Sequence, residues 1–376
     1  MVNSSQFAVG AIASALEKIE KTLSSCGNGF PHITSQGEWQ FTSNGGWTGG
    51  FWVGLLWLAY QHTSETRFRD AAIRYMAILE PRRDEASATP DLGFLFYPSF
   101  VRGYQILGEG AWRTNALQAA ERLLGCFHSK AGLLHCVYKD RVKRPGRPVG
   151  TTIVDFLMNL SLLWWAYQET QKERYYLCAT THAVRTAHLL LREDGSTFHA
   201  VDFDLESGGV VGQDTIHGLS RNSCWSRGQA WTLHGYLLAY EFTGIPLFKR
   251  LAQRAGRFFE KHLPKDGVPP WDFDEALAST STKDSSAGAI AASGLLLASD
   301  ARDDDWVSLI DMGERILKAL SLDYLQDPKR GGILAHGCAY KKKGIGVDEA
   351  TIWGDHYFLQ GLTALTAVTK DGHIEG

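Results

Sequence analysis

The chain lacks any Cys-x-x-Cys pair and any His/Cys cluster at metal-ligand spacing, so neither a structural zinc nor a dithiol redox centre is written into it. Its six cysteines (Cys26, Cys126, Cys136, Cys178, Cys224 and Cys338) are scattered among apolar neighbours, which suggests buried thiols in a reducing compartment. It lacks a run of about 18 apolar residues that could span a membrane. The first residues carry no basic segment, and Glu17, Lys18 and Glu20 soon interrupt the apolar stretch, which reads as an amphipathic helix rather than a signal peptide. A cytoplasmic location is the expectation. Charge of one sign is also lacking. A net charge of −3 gives no electrostatic reason to expect nucleic acid or an anionic membrane as partner. No P-loop, no GxGxxG after a strand, no GxSxG and no HExxH occurs, and no metal or organic cofactor is expected.

What is present points elsewhere. A length of 376 residues exceeds the roughly 250–300 at which a single compact core usually stops growing, but repetitive barrels escape that limit. Three segments share one pattern: Leu58-Ala59-Tyr60-Gln61-His62-Thr63 with Phe68 after it, Trp165-Ala166-Tyr167-Gln168-Glu169-Thr170 with Tyr175, and Leu238-Ala239-Tyr240-Glu241-Phe242-Thr243 with Phe248. Each copy starts in a helix that is apolar nearly all round, turns sharply, and continues in an amphipathic helix. A weaker fourth copy lies at Ala287–Ala298 followed by Trp306–Leu320. A helix apolar all round must be buried, whereas one with a single apolar stripe faces water on its other side.

Alternating the two kinds predicts an inner and an outer ring. About six hairpins fit, near 5–24 with 51–63, 65–80 with 96–106, 112–126 with 153–169, 172–191 with 227–242, 246–262 with 287–299, and 305–320 with 354–369. Chain order fixes this pairing to within one helix. The expected fold is all-α, a closed (α/α)6 barrel forming one domain over residues 1–376. An open α-solenoid is the alternative, and the unequal spacing of Tyr60, Tyr167 and Tyr240 argues against such a regular array. The long connections 27–50, 81–95, 128–151, 192–226 and 321–353 should frame one open end. Short strands are expected within them, at Gly132-Leu-Leu-His-Cys-Val-Tyr138 and Gly332-Ile-Leu-Ala-His336. The load of 12 Trp, 13 Tyr and 18 Phe mostly fills core, and its surplus suits a carbohydrate cleft.

Two carboxylates stand out. Asp155 begins an otherwise apolar helix, with Asn159 one turn on and placed to orient it. Thr152-x-x-Asp155 also fits a capping box, in which the carboxylate merely satisfies a backbone N–H. Asp91 lies in Pro90-Asp91-Leu-Gly93, a string that reads as a turn but sits among aromatics. Gly45-Gly46-Trp47-Thr48-Gly49-Gly50-Phe51-Trp52 leads into an inner helix, where Trp47 could stack on a ligand. His199 and His217 lie in the longest loop, close in sequence to Trp225-Ser226-Arg227-Gly228-Gln229-Ala230-Trp231. Ser226-x-x-Gln229 fits a second capping box, and Arg227 opposes the helix dipole there, so a carboxylate ligand is a reason for it.

Taken in order, Trp47–Trp52, Asp91–Leu95, Ile153–Leu163, Trp225–Trp231, Asp284–Ala287 and Thr351–Tyr357 resemble the unsaturated glucuronyl hydrolases of glycoside hydrolase family 88 across nearly the whole chain. The resemblance implies a cofactor-free and metal-free (α/α)6 barrel. Its substrate would be a lyase-generated oligosaccharide, from whose non-reducing end a 4,5-unsaturated uronic acid is removed by hydration of a vinyl ether. It makes Asp155 the general acid/base and Asp91 its companion. Trp47, Phe51, His199, His217, Arg227 and Trp231 become substrate-binding residues.

This chain departs from the family pattern at Pro90, where His is frequent, and at Gly49, where Asp or Ser is frequent. His217 stands near an expected glutamine. No clear aromatic partner for a second sugar appears between Val137 and Arg147. The loop Tyr340-Lys341-Lys342-Lys343 lacks the serines that accompany sulfate recognition, though its lysines could attract an anion. Unsaturated rhamnogalacturonyl hydrolysis (family 105), a His199/His217 sugar epimerase and a scaffold are the competing readings. A homodimer is the assembly to test.

Overall fold

The computed structural model describes residues 4–84, 90–137, 148–275, 281–298 and 306–371. Helices dominate: α1 (Ser4–Ser25), α2 (Gly49–Thr63), α3 (Thr66–Leu79), α4 (Leu92–Phe96), α5 (Arg102–Leu107), α6 (Gly110–Leu124), α7 (Phe156–Thr170), α8 (Glu173–Leu190), α9 (Ser226–Thr243), α10 (Pro246–His262), α11 (Ser285–Leu297), α12 (Val307–Asp323) and α13 (Ile352–Asp371). A π-helical stretch, Tyr97–Val101, joins α4 to α5 in one rod.

The two helix chemistries separate as expected. Every residue of α2 from Gly49 to Ala59 is buried, as is every residue of α7 from Phe156 to Ala166. In α10, only a stripe is buried, including Phe248, Leu251, Ala252, Ala255 and Phe259. Helix α13 packs against both α2 and α11, α11 against α9, α9 against α7, α7 against α4, and the π stretch against α2. The inner ring is therefore closed, and the fold is an (α/α)6 barrel. Closure removes the solenoid reading.

The sequence repeat is a helix stop. Thr63, Thr170 and Thr243 each turn their Oγ1 back to an alanine carbonyl, on Ala59, Ala166 and Ala239 at 2.8, 2.6 and 2.6 Å. The next residues, Ser64, Gln171 and Gly244, take left-handed φ of 60°, 56° and 66° and donate their N–H to the repeat tyrosine's carbonyl at 2.7 Å. One residue later the outer helix begins, and Phe68, Tyr175 and Phe248 anchor it in the core. The tight hairpins thus run inner to outer, α2 with α3, α7 with α8 and α9 with α10. The expected pairing is shifted by one helix, because the short turns follow the inner helices and the long loops precede them.

Those long loops carry small antiparallel sheets: β1 (Phe30–Ser35) with β2 (Glu38–Thr42), β3 (Phe127–His128) with β4 (Leu133–Leu134), the three-stranded β5 (Val149–Ile153), β6 (Ala200–Asp204) and β7 (Val210–Asp214), and β8 (Gly337–Tyr340) with β9 (Ile345–Glu349). The strand expected around Gly132 is realised as Leu133–Leu134 and a bridge from Cys136 to Thr151. The strand expected at 332–336 is not formed. It is reduced to a single antiparallel bridge from Leu334 to Leu325, the Ile333 and Leu334 N–H groups donate to the Asp355 carboxylate at 2.9 Å each, and the β8 strand starts at Gly337.

Candidate active site

The inner helices all begin at the end framed by the sheets, and the candidate residues cluster on their first turns. Asp91 immediately precedes α4 and Asp155 immediately precedes α7, two neighbouring inner helices. Asn159 ties them together: its Oδ1 accepts the Phe94 N–H at 2.7 Å and its Nδ2 donates to the Asp155 carbonyl at 3.4 Å. The expectation that Asn159 orients the Asp155 carboxylate is therefore corrected. The amide holds backbone to backbone.

The capping-box reading of Asp155 also fails. Its side chain makes no cap hydrogen bond, and Thr152 Oγ1 is spent on the Leu134 carbonyl. The carboxylate Oδ2 instead lies 3.3 Å from His199 Nε2, with the aspartate side chain 14% exposed and the imidazole 2%. Strand register produces this meeting. Ile153 pairs with Ala200, the Val154 N–H donates to the His199 carbonyl at 2.9 Å, and Asp155 follows Val154 directly, beside that bonded pair. The His217 N–H reaches His199 Nδ1 at 3.4 Å, which makes that nitrogen an acceptor and turns Nε2 towards Asp155, near it but not hydrogen-bonded to it.

His217 packs against His199 and Trp225, at centroid distances of 4.8 and 4.9 Å, and stacks on Tyr340 at 4.2 Å and 15°. Burial, with help from His199, Arg227 and the lysines Lys343 and Lys342, holds its pKa well below the usual imidazole value. It is therefore a neutral ring near pH 7.

Arg227 is not the open cation expected from its place at a helix start. It is 3% exposed, donates to Asp284 Oδ2 at 2.8 Å and to the carbonyls of Cys338 and, at 2.7 Å, Ala339, and lies over the Trp225 ring. The second capping box is likewise absent. Ser226 Oγ donates to the Trp271 carbonyl, and Gln229 bonds Gly195, Ala255 and Thr197.

Trp47 is half-buried, 5.0 Å from Trp353 and 5.8 Å from Phe94. Phe51 and Trp231, expected as walls, are 1% and 0% exposed and form a floor with Phe94 and Tyr357. Sequence reasoning missed Trp353, Tyr340 and the partnership of Asp284 with Arg227, although each lay in or beside a quoted motif. The expected second-sugar region, from Val137 to Arg147, lies outside the described residues after Val137 itself. Among the described residues, no cluster of three or more His, Cys, Asp or Glu could hold a metal ion, and no helix is long and apolar enough to cross a membrane.

What this arrangement can do is transfer a proton: one carboxyl group, free of backbone duties, beside a fixed imidazole and an aromatic platform. No family model matches the chain. Whole-chain relatives do exist. The unsaturated glucuronyl hydrolase of Bacillus sp. (strain GL1) is 34% identical, over 94% of this chain and 96% of its own length. An unsaturated chondroitin disaccharide hydrolase of Streptococcus pneumoniae is 34% identical, over 94% of this chain and 90% of its length. A crystal structure of an unsaturated glucuronyl hydrolase specific for heparin superposes with a TM-score of 0.91 at 29% identity, covering 97% of this chain and 98% of that one. None of these is named for the rhamnogalacturonyl or epimerase activities weighed from the sequence.

Proposed function

The chain belongs to the unsaturated glucuronyl hydrolases, glycoside hydrolase family 88, and we propose that it uses Asp155 to hydrate the C4=C5 bond of a 4,5-unsaturated uronic acid at the non-reducing end of lyase-generated oligosaccharides. One observation carries the assignment of the acid: Asp155 heads an inner helix without capping it, and its carboxyl faces His199 at 3.3 Å.

The chemistry follows from the vinyl ether. Asp155 donates its proton to C4, and positive charge develops at C5, where the ring oxygen shares it. Water adds at C5 while the Asp155 carboxylate takes the proton that water releases. The resulting hemiketal opens by breaking C5–O5, which leaves a ketone at C5 and a hemiacetal at C1. The C1–O bond to the aglycone then breaks as the C1 aldehyde forms, and the hemiacetal proton passes to the departing oxygen. Such acid/base assistance contributes about 10²–10⁴ in rate. His199 Nε2 stands 3.3 Å from the carboxylate, close enough to tighten into a hydrogen bond once substrate is bound. Asp91, on the neighbouring helix start, holds the sugar.

Trp47 supplies a ring face to the pyranose, while Phe51 and Trp231 hold that ring from beneath. His217 is a neutral side wall. Arg227, with its charge matched by Asp284, sets the position of Trp225 and the β8 backbone. Lys342 and Lys343 lie near enough to act electrostatically on His217, and this supports an anionic substrate. We further infer a single catalytic unit over residues 1–376, a homodimer as the assembly to test, and a cytoplasmic site of action, which the buried thiols of Cys26, Cys178, Cys224 and Cys338 support.

The test is the loss of conjugated C4=C5 absorbance with chondroitin-, heparin- and gellan-derived unsaturated disaccharides. Turnover by the parent chain and none by Asp155→Asn supports the proposal. Unchanged turnover by the variant overturns it.

A further inference from the structure

A cavity of about 980 Å³ occupies the barrel on the far side of the aromatic floor. The stripe Phe51, Gly54, Leu58 and Gln61 of α2 lines it from floor to mouth, and His234, Leu238 and Glu241 of α9 do the same. Its rim is exposed and is built from the last turns of inner helices, including Gln61, His62, Gln168 and Leu297. The candidate catalytic residues sit on the first turns of those helices. The two spaces therefore lie at opposite ends of the barrel and meet only at the floor residues Phe51, Phe94 and Tyr357. Protein interiors leave few voids larger than a water, whereas a space of this size is what a small-molecule site occupies.

Its lining is specific in character. Aromatic surface comes from Tyr97, Phe242 and Tyr357, and uncharged amides come from Gln105, Gln168 and Gln360. Formal charge is balanced, with Arg102 hydrogen-bonded to Gln61 Oε1 at 2.8 Å and Glu241 at the rim. His234 and His356 are buried, which pushes their pKa values down to about 4 and about 3, so both rings are neutral near pH 7. His356 is 4% exposed and its Nδ1 has no hydrogen-bond partner in the protein, although buried polar atoms normally find one. A hydroxyl group of a ligand would satisfy it.

We propose that the far end of the barrel is a second binding site, for an uncharged pyranose sugar. Aromatic faces suit its C–H surfaces, amides and neutral imidazoles suit its hydroxyls, and the lining's arginine, Arg102, is already engaged by the Gln61 amide. The site is independent of the hydrolase reading, and its test needs no turnover. Glucose, N-acetylglucosamine and rhamnose are titrated into the full chain by calorimetry and saturation-transfer NMR, with glucuronate as the charged control.

Saturable, millimolar-range binding of a neutral sugar is expected, with glucuronate at least tenfold weaker. It should persist in Trp47→Ala, a residue of the catalytic mouth that does not line the cavity, and weaken at least tenfold in Ala364→Trp, which fills the cavity. Circular dichroism and retained hydrolysis check that Ala364→Trp folds. Should it not, Gln168→Trp blocks the exposed rim instead. Absence of saturable binding, or binding lost in Trp47→Ala and kept in the cavity-filling variant, overturns the proposal.

Discussion

A Cβ placed on Gly93 would lie 2.4 Å from the Asn159 Cα and 2.6 Å from its carbonyl oxygen. The helices that start at Asp91 and Asp155 therefore touch backbone to backbone, and only glycine permits that approach. Gly93→Ala should push α4 from α7 and lower kcat by ten- to a hundred-fold, with a smaller effect on KM. Substitutions elsewhere on the α4 surface should not do so. Steady-state kinetics of a folded variant decide it, and unchanged kcat would show that the spacing of these helix starts does not matter to the reaction.

His199 provides a second check on the same carboxylate. Replacing it with phenylalanine keeps the ring's packing on Trp225 but removes the ring nitrogen that faces Asp155 at 3.3 Å. If that contact becomes a hydrogen bond to a charged group in the reacting complex, it is worth about 1.5–3 kcal/mol, so kcat should fall about 10- to 150-fold. KM should move much less if the histidine acts through the carboxylate. A change confined to KM would make His199 a binding residue instead.

The Arg227–Asp284 pair makes a prediction about stability. Asp284 is 0% exposed and pairs with a guanidinium that is itself buried. Asp284→Ala strands that cation and should cost about 3–5 kcal/mol in chemical denaturation. Replacing both residues with leucine should restore much of the loss, since the double variant buries no lone charge. If the double variant is no more stable than the single one, the pair's other hydrogen bonds dominate.

Asp355 gives the pH dependence. Burial raises its pKa to about 7 against the pull of two backbone N–H donors and Lys18. Between the unfolded value of 3.8 and 7, the folded protein holds a proton that the unfolded chain releases. Its contribution to stability is therefore greatest below about pH 4 and is lost as pH rises through 7, on the order of 4 kcal/mol over the window. Thermal unfolding of Asp355→Asn from pH 4 to 8 should show a flatter decline than the parent chain. Parallel profiles would mean that the donors outweigh burial.

Much of this molecule was legible in its sequence. All-apolar and striped helices alternate, and that contrast by itself dictates buried and half-buried rings. The motif order then singled out Asp91, Asp155 and His199. The threonine at each repeat's end also proved to be a local device, a side chain bonding its own helix, and so was readable in principle.

Other features lay beyond sequence reading because they depend on partners far along the chain. Whether Asp155 caps its helix or faces His199 is settled by the register of β5 on β6, more than forty residues apart in sequence. Arg227 reads as an open cation until the fold brings Asp284 and the β8 carbonyls, 57 to 112 residues away, to surround it. The cavity behind the aromatic floor has no sequence signature, since an inward stripe looks the same whether it meets neighbours or empty space. Composition and periodicity state which faces must leave water. Only ring closure states how much room remains between them.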